Sequence, residues 1–552
     1  MEPARLGTSK RRPRRGSVER PVDLRLVRNL AAFLVVPLLL VVVTVVRPGP
    51  LPAPTLPPAF DGATATALTR ELAGNNASRV PGSLGAANGA QWFRDKLALY
   101  GLPVREDVWR QDVPGVGPVE LRNLAAVVDG TLDQAIVLVA HRDNNGLSAG
   151  ANDNASGTAS LVELARAYAR TGTTELARTP LHTLVFLSTD GGAYGSLGAA
   201  RFAEHSPLAR RAVAVVSLDG IAGQARTRLE LGGLGSHSPP PALVRTAEAR
   251  IQAETGRAPV QPGFLDQLVG LALPFGFGEQ APVLGRGIPA LRVSTAPDGG
   301  TAPGADELAT LDERKLGALG RASESLLSSL DAAVELPTTT GGALYLGRRA
   351  ARGWAVQLLL VALVVPFAGA AIDLLSRCRR RRLPLAPAWR ALRRRLGLWL
   401  VLLALLALAA LTGALPREPS LPPPPDQPPV DAWPVGAAVI GIFAVALVWL
   451  RARARLIPRA RARPEEDLAA FAVAFLALLL VAVVTVLVSP YSLVFLLPPS
   501  TPGFSCRSSG ELRDGSPTWP TAWASSARSS LWSCLPRAST SASAPRSMPR
   551  RC

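Results

Sequence analysis

Two segments and two single aspartates of the 552-residue chain carry side chains whose types and spacing suit a bound metal ion. The apolar run 135–140 ends in His141-Arg142-Asp143, and a glycine-rich loop then delivers Gly150-Ala-Asn-Asp153-Asn-Ala-Ser-Gly157. Asp190 and Asp219 stand just past two further apolar runs, 181–188 and 212–218. Imidazole and carboxylate are the usual zinc ligands where thiolate is lacking, and a carboxylate two residues beyond a histidine can orient its ring. The four cysteines (Cys378, Cys506, Cys534 and Cys552) all lie far along the chain, which leaves His, Asp and Glu as ligands. Each aspartate taken singly also suits a turn or a helix N-cap. At the ends of successive strands, His141, Asp153, Asp190 and Asp219 together form a candidate metal set, with Asp143 placed to orient His141.

Such a set needs strands that end side by side. Residues 119–128, 135–140, 181–188 and 212–218 are short β-branched or apolar runs bounded by turn residues. Amphipathic stretches, notably 158–170 and 196–204, lie between them, and helical patterning marks 65 onward and 86–100. This alternation predicts an α/β fold, a three-layer sandwich around a mixed, mostly parallel sheet over residues 64–335. Ligands in such sheets collect at the carboxyl ends of the strands, where the candidate residues stand.

Outside that domain the chain is apolar and arginine-rich. Hydrophobic residues make up 48% of the sequence and the formal charge is +19, with Lys10, Lys96 and Lys315 the only lysines. The arginines bunch beside apolar runs rather than interleaving with aromatics, a pattern that excludes a nucleic-acid surface and suits membrane topology. The basic segment 1–29 precedes a predicted signal anchor at 30–46; a cleaved signal peptide is the rival, but no small-x-small site follows, only Arg47-Pro-Gly-Pro50. A proline-rich linker, 47–63, leads into the domain. Four more runs (354–375, 396–415, 434–450 and 468–488) are long enough to span a bilayer, giving an all-α transmembrane region. Loops 377–395 and 451–463 are crowded with arginine while 416–433 has one, Arg417. By the positive-inside rule the chain is a multi-pass protein of the cell membrane, its N-terminus cytoplasmic and residues 48–350 extracytoplasmic. Residues 500–552 change abruptly to a Ser/Arg/Pro/Trp mixture with no helical or strand period, which predicts a disordered tail and suggests a shifted reading frame.

The order of the motifs adds a resemblance. Arg79-Val-Pro-Gly-Ser83, Ala140-His-Arg-Asp143, Gly150 to Gly157, Thr189-Asp190 followed by Gly195-Ser196, Val216-Ser-Leu-Asp219, and Glu279-Gln-Ala-Pro282 with Gly287-Ile-Pro-Ala290 follow one another. In that order they resemble the zinc-dependent aminopeptidase and glutamate carboxypeptidase family, clan MH. The layout, with one leading span, a domain and several trailing spans, is similar to that of the lumenal subunit of glycosylphosphatidylinositol transamidase. The resemblance implies one zinc site from His141, Asp153 and Asp219, with Asp153 as the bridging carboxylate and Asp190 left to a second site. It also implies two losses. Thr189 falls where the family has its general-base glutamate, and the last histidine ligand falls near Gly300-Thr301, with no histidine after His237. A positioned base contributes on the order of 10²–10⁴-fold. The expectation is therefore a degenerate zinc peptidase-like domain, with at most one well-formed zinc site, that binds or scaffolds a peptide or another membrane protein. The alternative is an active zinc metallo-exopeptidase releasing N-terminal residues.

Overall fold

The computed structural model describes residues 23–169, 179–273, 276–297, 304–411 and 464–500, with a few positions between 441 and 451. The sequence-predicted span 434–450 and the tail beyond Ser500 lie outside the described residues, apart from isolated positions in the former. Helices α1 (Leu24–Ala32) and α2 (Val35–Val43) come first, followed by α3 (Gly62–Asn75), α4 (Leu84–Leu99), α5 (Gly157–Arg166) and α6 (Leu197–His205). The chain continues through α7 (Pro241–Thr255), α8 (Phe264–Ala272), α9 (Gln280–Gly285) and α10 (Glu313–Asp331). It ends with α11 (Gly353–Ala362), α12 (Val364–Arg380), α13 (Ala386–Leu411), α14 (Pro464–Val488) and α15 (Leu493–Ser500).

Seven strands form the main sheet: β1 (Val104–Val113), β2 (Gly117–Val128), β3 (Leu132–His141), β4 (His182–Thr189), β5 (Ala212–Asp219), β6 (Arg228–Glu230) and β7 (Ala290–Ser294). Their order is β1-β2-β4-β3-β5-β7-β6. The four central strands β4, β3, β5 and β7 are parallel, and β1, β2 and β6 add antiparallel edges. The central strands are apolar on both faces, as expected for a sheet covered on both sides. Ile136, Leu138, Leu184 and Phe186 join the larger core under α3, α4, α5, α7 and α10, whereas Val137, Val139, Val185 and Leu187 pack toward α6 and α9. This is the expected three-layer sandwich. Strand β1 carries charges and alternates poorly between exposed and buried positions, which is why the sequence does not single it out.

Among the described residues, Arg25–Thr44, Gly353–Arg380 and Leu468–Val488 are long and apolar enough to cross a membrane. They match three of the expected spans. The fourth, 396–415, falls on α13, whose side chains are only partly described. The hairpin of β8 (Leu344–Leu346) and β9 (Arg349–Ala351) feeds α11. Val46 and Ala350 exchange two 3.0 Å backbone hydrogen bonds, so the end of the first of these apolar helices lies beside the start of the second.

Phe186 is wholly buried at the centre of β4, its ring 6.1 Å from that of Tyr168. Phe186→Ala should destabilise the domain by about 3–5 kcal/mol through the cavity it leaves. Chemical denaturation of the detergent-solubilised chain measures this, and a loss below about 1 kcal/mol would be too small for a core aromatic.

Candidate metal centre

Strand register sets the site. In the parallel β3–β4 pair His141 lies opposite Thr189, and β5 on the other side of β3 ends in Asp219. His141 is buried at the end of β3, and its Nδ1 lies 3.0 Å from the Asp143 carbonyl oxygen and 3.5 Å from Asp143 Oδ1. These two acceptors hold a proton on Nδ1, so that Nε2 is the nitrogen facing the site. Asp143 is held in turn by the backbone N–H groups of Gly192 and Ala193, at 2.8 and 3.0 Å. Gly192 lies against the imidazole so closely that a Cβ there would sit 2.2 Å from His141 Cβ and Cγ.

Asp153 arrives on the loop ahead of α5. The backbone N–H groups of Asn152 and Asp153 donate to the Asp306 carboxylate at 2.8 and 2.7 Å. Asn154 ties the loop to the end of β5 by donating to the Leu218 carbonyl at 2.8 Å and accepting from Gly220 N at 3.0 Å. Arg79, wholly buried, clamps the neighbouring turns by donating to the carbonyls of Asn76, Arg142, Ala149 and Gly150 at 2.7–2.9 Å.

The outcome is one compact ligand group. His141 Nε2 stands 3.1 Å from Asp153 Oδ1 and 3.7 Å from Asp219 Oδ1, and one ligand atom from each of the three residues lies within 4.8 Å of the others. One nitrogen and two oxygens, with Asp153 exposed and the others buried, fit a zinc-type centre that keeps an open position toward solvent. Against the effect of burial, the carboxylates of Asp143, Asp153 and Asp219 raise the His141 pKa well above the usual imidazole value. Burial is likewise overcome at Asp219, where Arg292, 3.0 Å away, and His141 hold the pKa down to about 2. The carboxylates thus supply an excess of negative charge around Nε2, which a proton offsets in the metal-free site and a divalent cation would offset in its place.

Asp190, which the resemblance leaves to a second site, is held by other partners. It does not join this group: its Oδ2 accepts from Arg142 Nη2 at 2.9 Å and from Arg122 N at 3.3 Å, and its Oδ1 accepts from Gly191 N at 3.0 Å. The reason is the pleat, which turns successive side chains to opposite faces. His141 and Thr189 are register partners, and the next residue on each chain, Arg142 and Asp190, meet each other instead. A fixed guanidinium satisfies the carboxylate assigned to the second metal. Gly300-Thr301, the position of the missing histidine, lies outside the described residues.

Thr189 holds a second finding. Its hydroxyl donates to Glu279 Oε1, and Ser217 Oγ donates to Glu279 Oε2 at 3.2 Å. Burial pushes Glu279 up to about 7, countered by His141 and the Thr189 hydrogen bond. A carboxyl therefore stands against Thr189, where the resemblance places a base glutamate, brought by the segment that opens α9. Sequence reasoning placed Glu279 on a late loop and missed it as an acid–base group, as it missed Asp306 and Arg292. No spacing signal connects any of them to His141, because each comes from a distant part of the chain.

The residues from 123 to 315 match the model of Peptidase family M28. This central domain is zinc-peptidase-like. Solved structures similar to it include Porphyromonas gingivalis glutaminyl cyclase, 18% identical over 49% of this chain and 98% of that one, with a TM-score of 0.40. The zinc aminopeptidase BSAP of Bacillus subtilis is 12% identical over 51% of this chain and 98% of its own, with a TM-score of 0.41. An Acidobacteriales bacterium glutaminyl cyclase is 21% identical over 51% and 98%, with a TM-score of 0.39. Among curated proteins none matches the chain.

Two outcomes are expected. Gly192→Ala should displace the imidazole and abolish tight zinc binding, as read by equilibrium dialysis; retention of wild-type affinity would show that His141 is not a ligand. Glu279 has a folded pKa above its unfolded value of 4.5, so its contribution is complete below pH 4.5 and is lost as pH rises through about 7. The metal-stripped protein should lose up to about 3 kcal/mol of stability across that window. Glu279→Gln should flatten the profile in thermal melts, and an unchanged slope would assign the pH dependence elsewhere.

Proposed function

We propose that the domain binds a single zinc ion through His141, Asp153 and Asp219, sits outside the membrane, and acts by binding a peptide or another membrane protein rather than by efficient two-metal hydrolysis. The observation that carries this reading is the Arg142–Asp190 pair at 2.9 Å. It commits the remaining carboxylate of the second metal set to an arginine, and a buried ion pair is costly to break from one side, at about 3–5 kcal/mol. The extracytoplasmic orientation is supported by the arginine-rich loops 377–395 and 451–463.

Zinc at the three ligands would supply Lewis acidity toward a carbonyl. Asp143 orients His141, Asp306 holds the loop that presents Asp153, and Arg292 tethers Asp219 through its other oxygen. The exposed Asp153 side leaves room for a carbonyl or a terminal amine of a ligand to approach.

A second reading, a slow one-metal aminopeptidase releasing N-terminal residues, is favoured by the Thr189–Glu279 hydrogen bond. Glu279, buried and held near pKa 7, is suited to take up and return a proton at neutral pH. Metal analysis and aminoacyl-nitroanilide assays on the purified full chain separate the two readings. One zinc per chain, lost in Asp153→Ala, with no release above background, is the expected result. Turnover abolished in both Asp153→Ala and Glu279→Gln would establish the enzyme and overturn the binding role, and zinc-free protein after reconstitution would overturn both.

A further inference from the structure

Helix α8 carries a feature that the metal centre does not use. One side of this nine-residue helix is built into the collar where the apolar spans end. Leu268, Leu271 and Ala272 share a buried cluster with Val356 and Leu360 of α11, Ala482 of α14, and Tyr491, with Val45 packed at its margin. Ser492 Oγ donates to the Ala272 carbonyl at 2.8 Å, and Gln267 exchanges two hydrogen bonds with the Tyr345 backbone at 2.7 and 2.9 Å. Tyr491 in turn donates to the Gly342 carbonyl at 2.7 Å, which closes the collar around the head of the second span. The helix is thereby fixed at the depth of the span ends.

Among the described residues its other side is apolar and exposed. Leu265 is 68% exposed, and Val269 follows one turn later. Phe264 is half-exposed at the start of the helix, and Phe277, just beyond its end, is 79% exposed. Asp266 is the only charged residue in α8. The adjoining β8–β9 hairpin carries Leu346 at the end of β8, exposed beside Arg348 and Arg349. Apolar side chains at span-end depth with exposed arginines beside them match the layering of a bilayer interface, acyl chains next to anionic headgroups.

We propose that α8 is an interfacial membrane helix, with Leu265, Val269 and Phe277 dipping into the leaflet on the domain side and Arg348 and Arg349 at the lipid phosphates. The inference rests on the reading that the apolar helices lie in a bilayer. It deepens the functional reading as well. Phe277 is two residues before Glu279, so the segment that inserts is the one that delivers a carboxyl to the metal centre, and the ligand is one presented at the membrane surface rather than drawn from bulk solution.

The test uses the full chain in liposomes of phosphatidylcholine with a minority of phosphatidylglycerol, its four native cysteines changed to serine. Nitroxide labels are placed singly through Leu265→Cys, Val269→Cys, Leu480→Cys on α14 and Leu84→Cys on the domain, and oxygen and nickel-chelate accessibilities are measured. Labels at 265 and 269 should favour oxygen, with nickel accessibility several-fold below that of the exposed position 84, and should lie shallower than 480. If 265 and 269 are as nickel-accessible as 84 while 480 stays in lipid, the interfacial helix is wrong and the spans stand. If 480 is also nickel-accessible, the membrane reading fails and this inference with it. Spin–spin broadening at 265 that disappears on dilution with unlabelled protein would show that a second copy covers the face, which overturns the lipid assignment.

Discussion

The register of two parallel strands governs this domain. With His141 opposite Thr189, the side chains at the ends of β3 and β4 are sorted into two sets that cannot be exchanged without slipping the sheet. One set faces the ligand group, where His141 meets Asp153 and Asp219. The next residue on each strand forms the Arg142–Asp190 pair. An aspartate that sequence order places among the ligands is thereby withdrawn, and its charge is cancelled by a neighbour two positions from Ala140.

The surroundings are organised to tolerate many buried charges. Arg79 and Arg142 are buried guanidiniums that donate chiefly to backbone carbonyls, and burial lowers the pKa of both. Asp143, Asp306 and Glu279 each accept hydrogen bonds from loops or neighbouring side chains, and Asp219 is ion-paired with Arg292. Buried charges are sustained only when paired and hydrogen-bonded, so this network rigidifies the loops at the strand ends. The same network sets one ligand atom from each of the three residues within 4.8 Å of the others. The site and the local fold are one hydrogen-bonded structure, which makes the ligand loop as dependent on Asp306 as on its own sequence.

The domain is also joined to the apolar helices by more than a linker. Val46 pairs with Ala350, Tyr491 bridges Gly342 and Gly353, and α8 packs against residues of three apolar helices or their ends. A helix with one face in that collar and, among the described residues, the other face exposed extends the apolar region beyond the helices long enough to span.

Much of this was legible in the sequence. Continuous β-branched runs with turn residues at their ends marked β2 to β5, apolar length marked the candidate spans, and residue type at the strand ends marked His141, Asp153, Asp190 and Asp219 as candidate ligands with Asp143 placed to orient His141. Those features are local, since a strand's burial and a loop's position at its end are written within a few adjacent residues. The tertiary structure alone decided where Asp190 points, which residue stands against Thr189, and what holds the Asp153 loop. Asp190 turned on pairing register, Glu279 came from 90 residues away, and Asp306 reached Asp153 across 153 residues. Side-chain partnership across such separations depends on how strands pair and loops close, and the chemistry at the end of a strand is set by what the fold brings beside it.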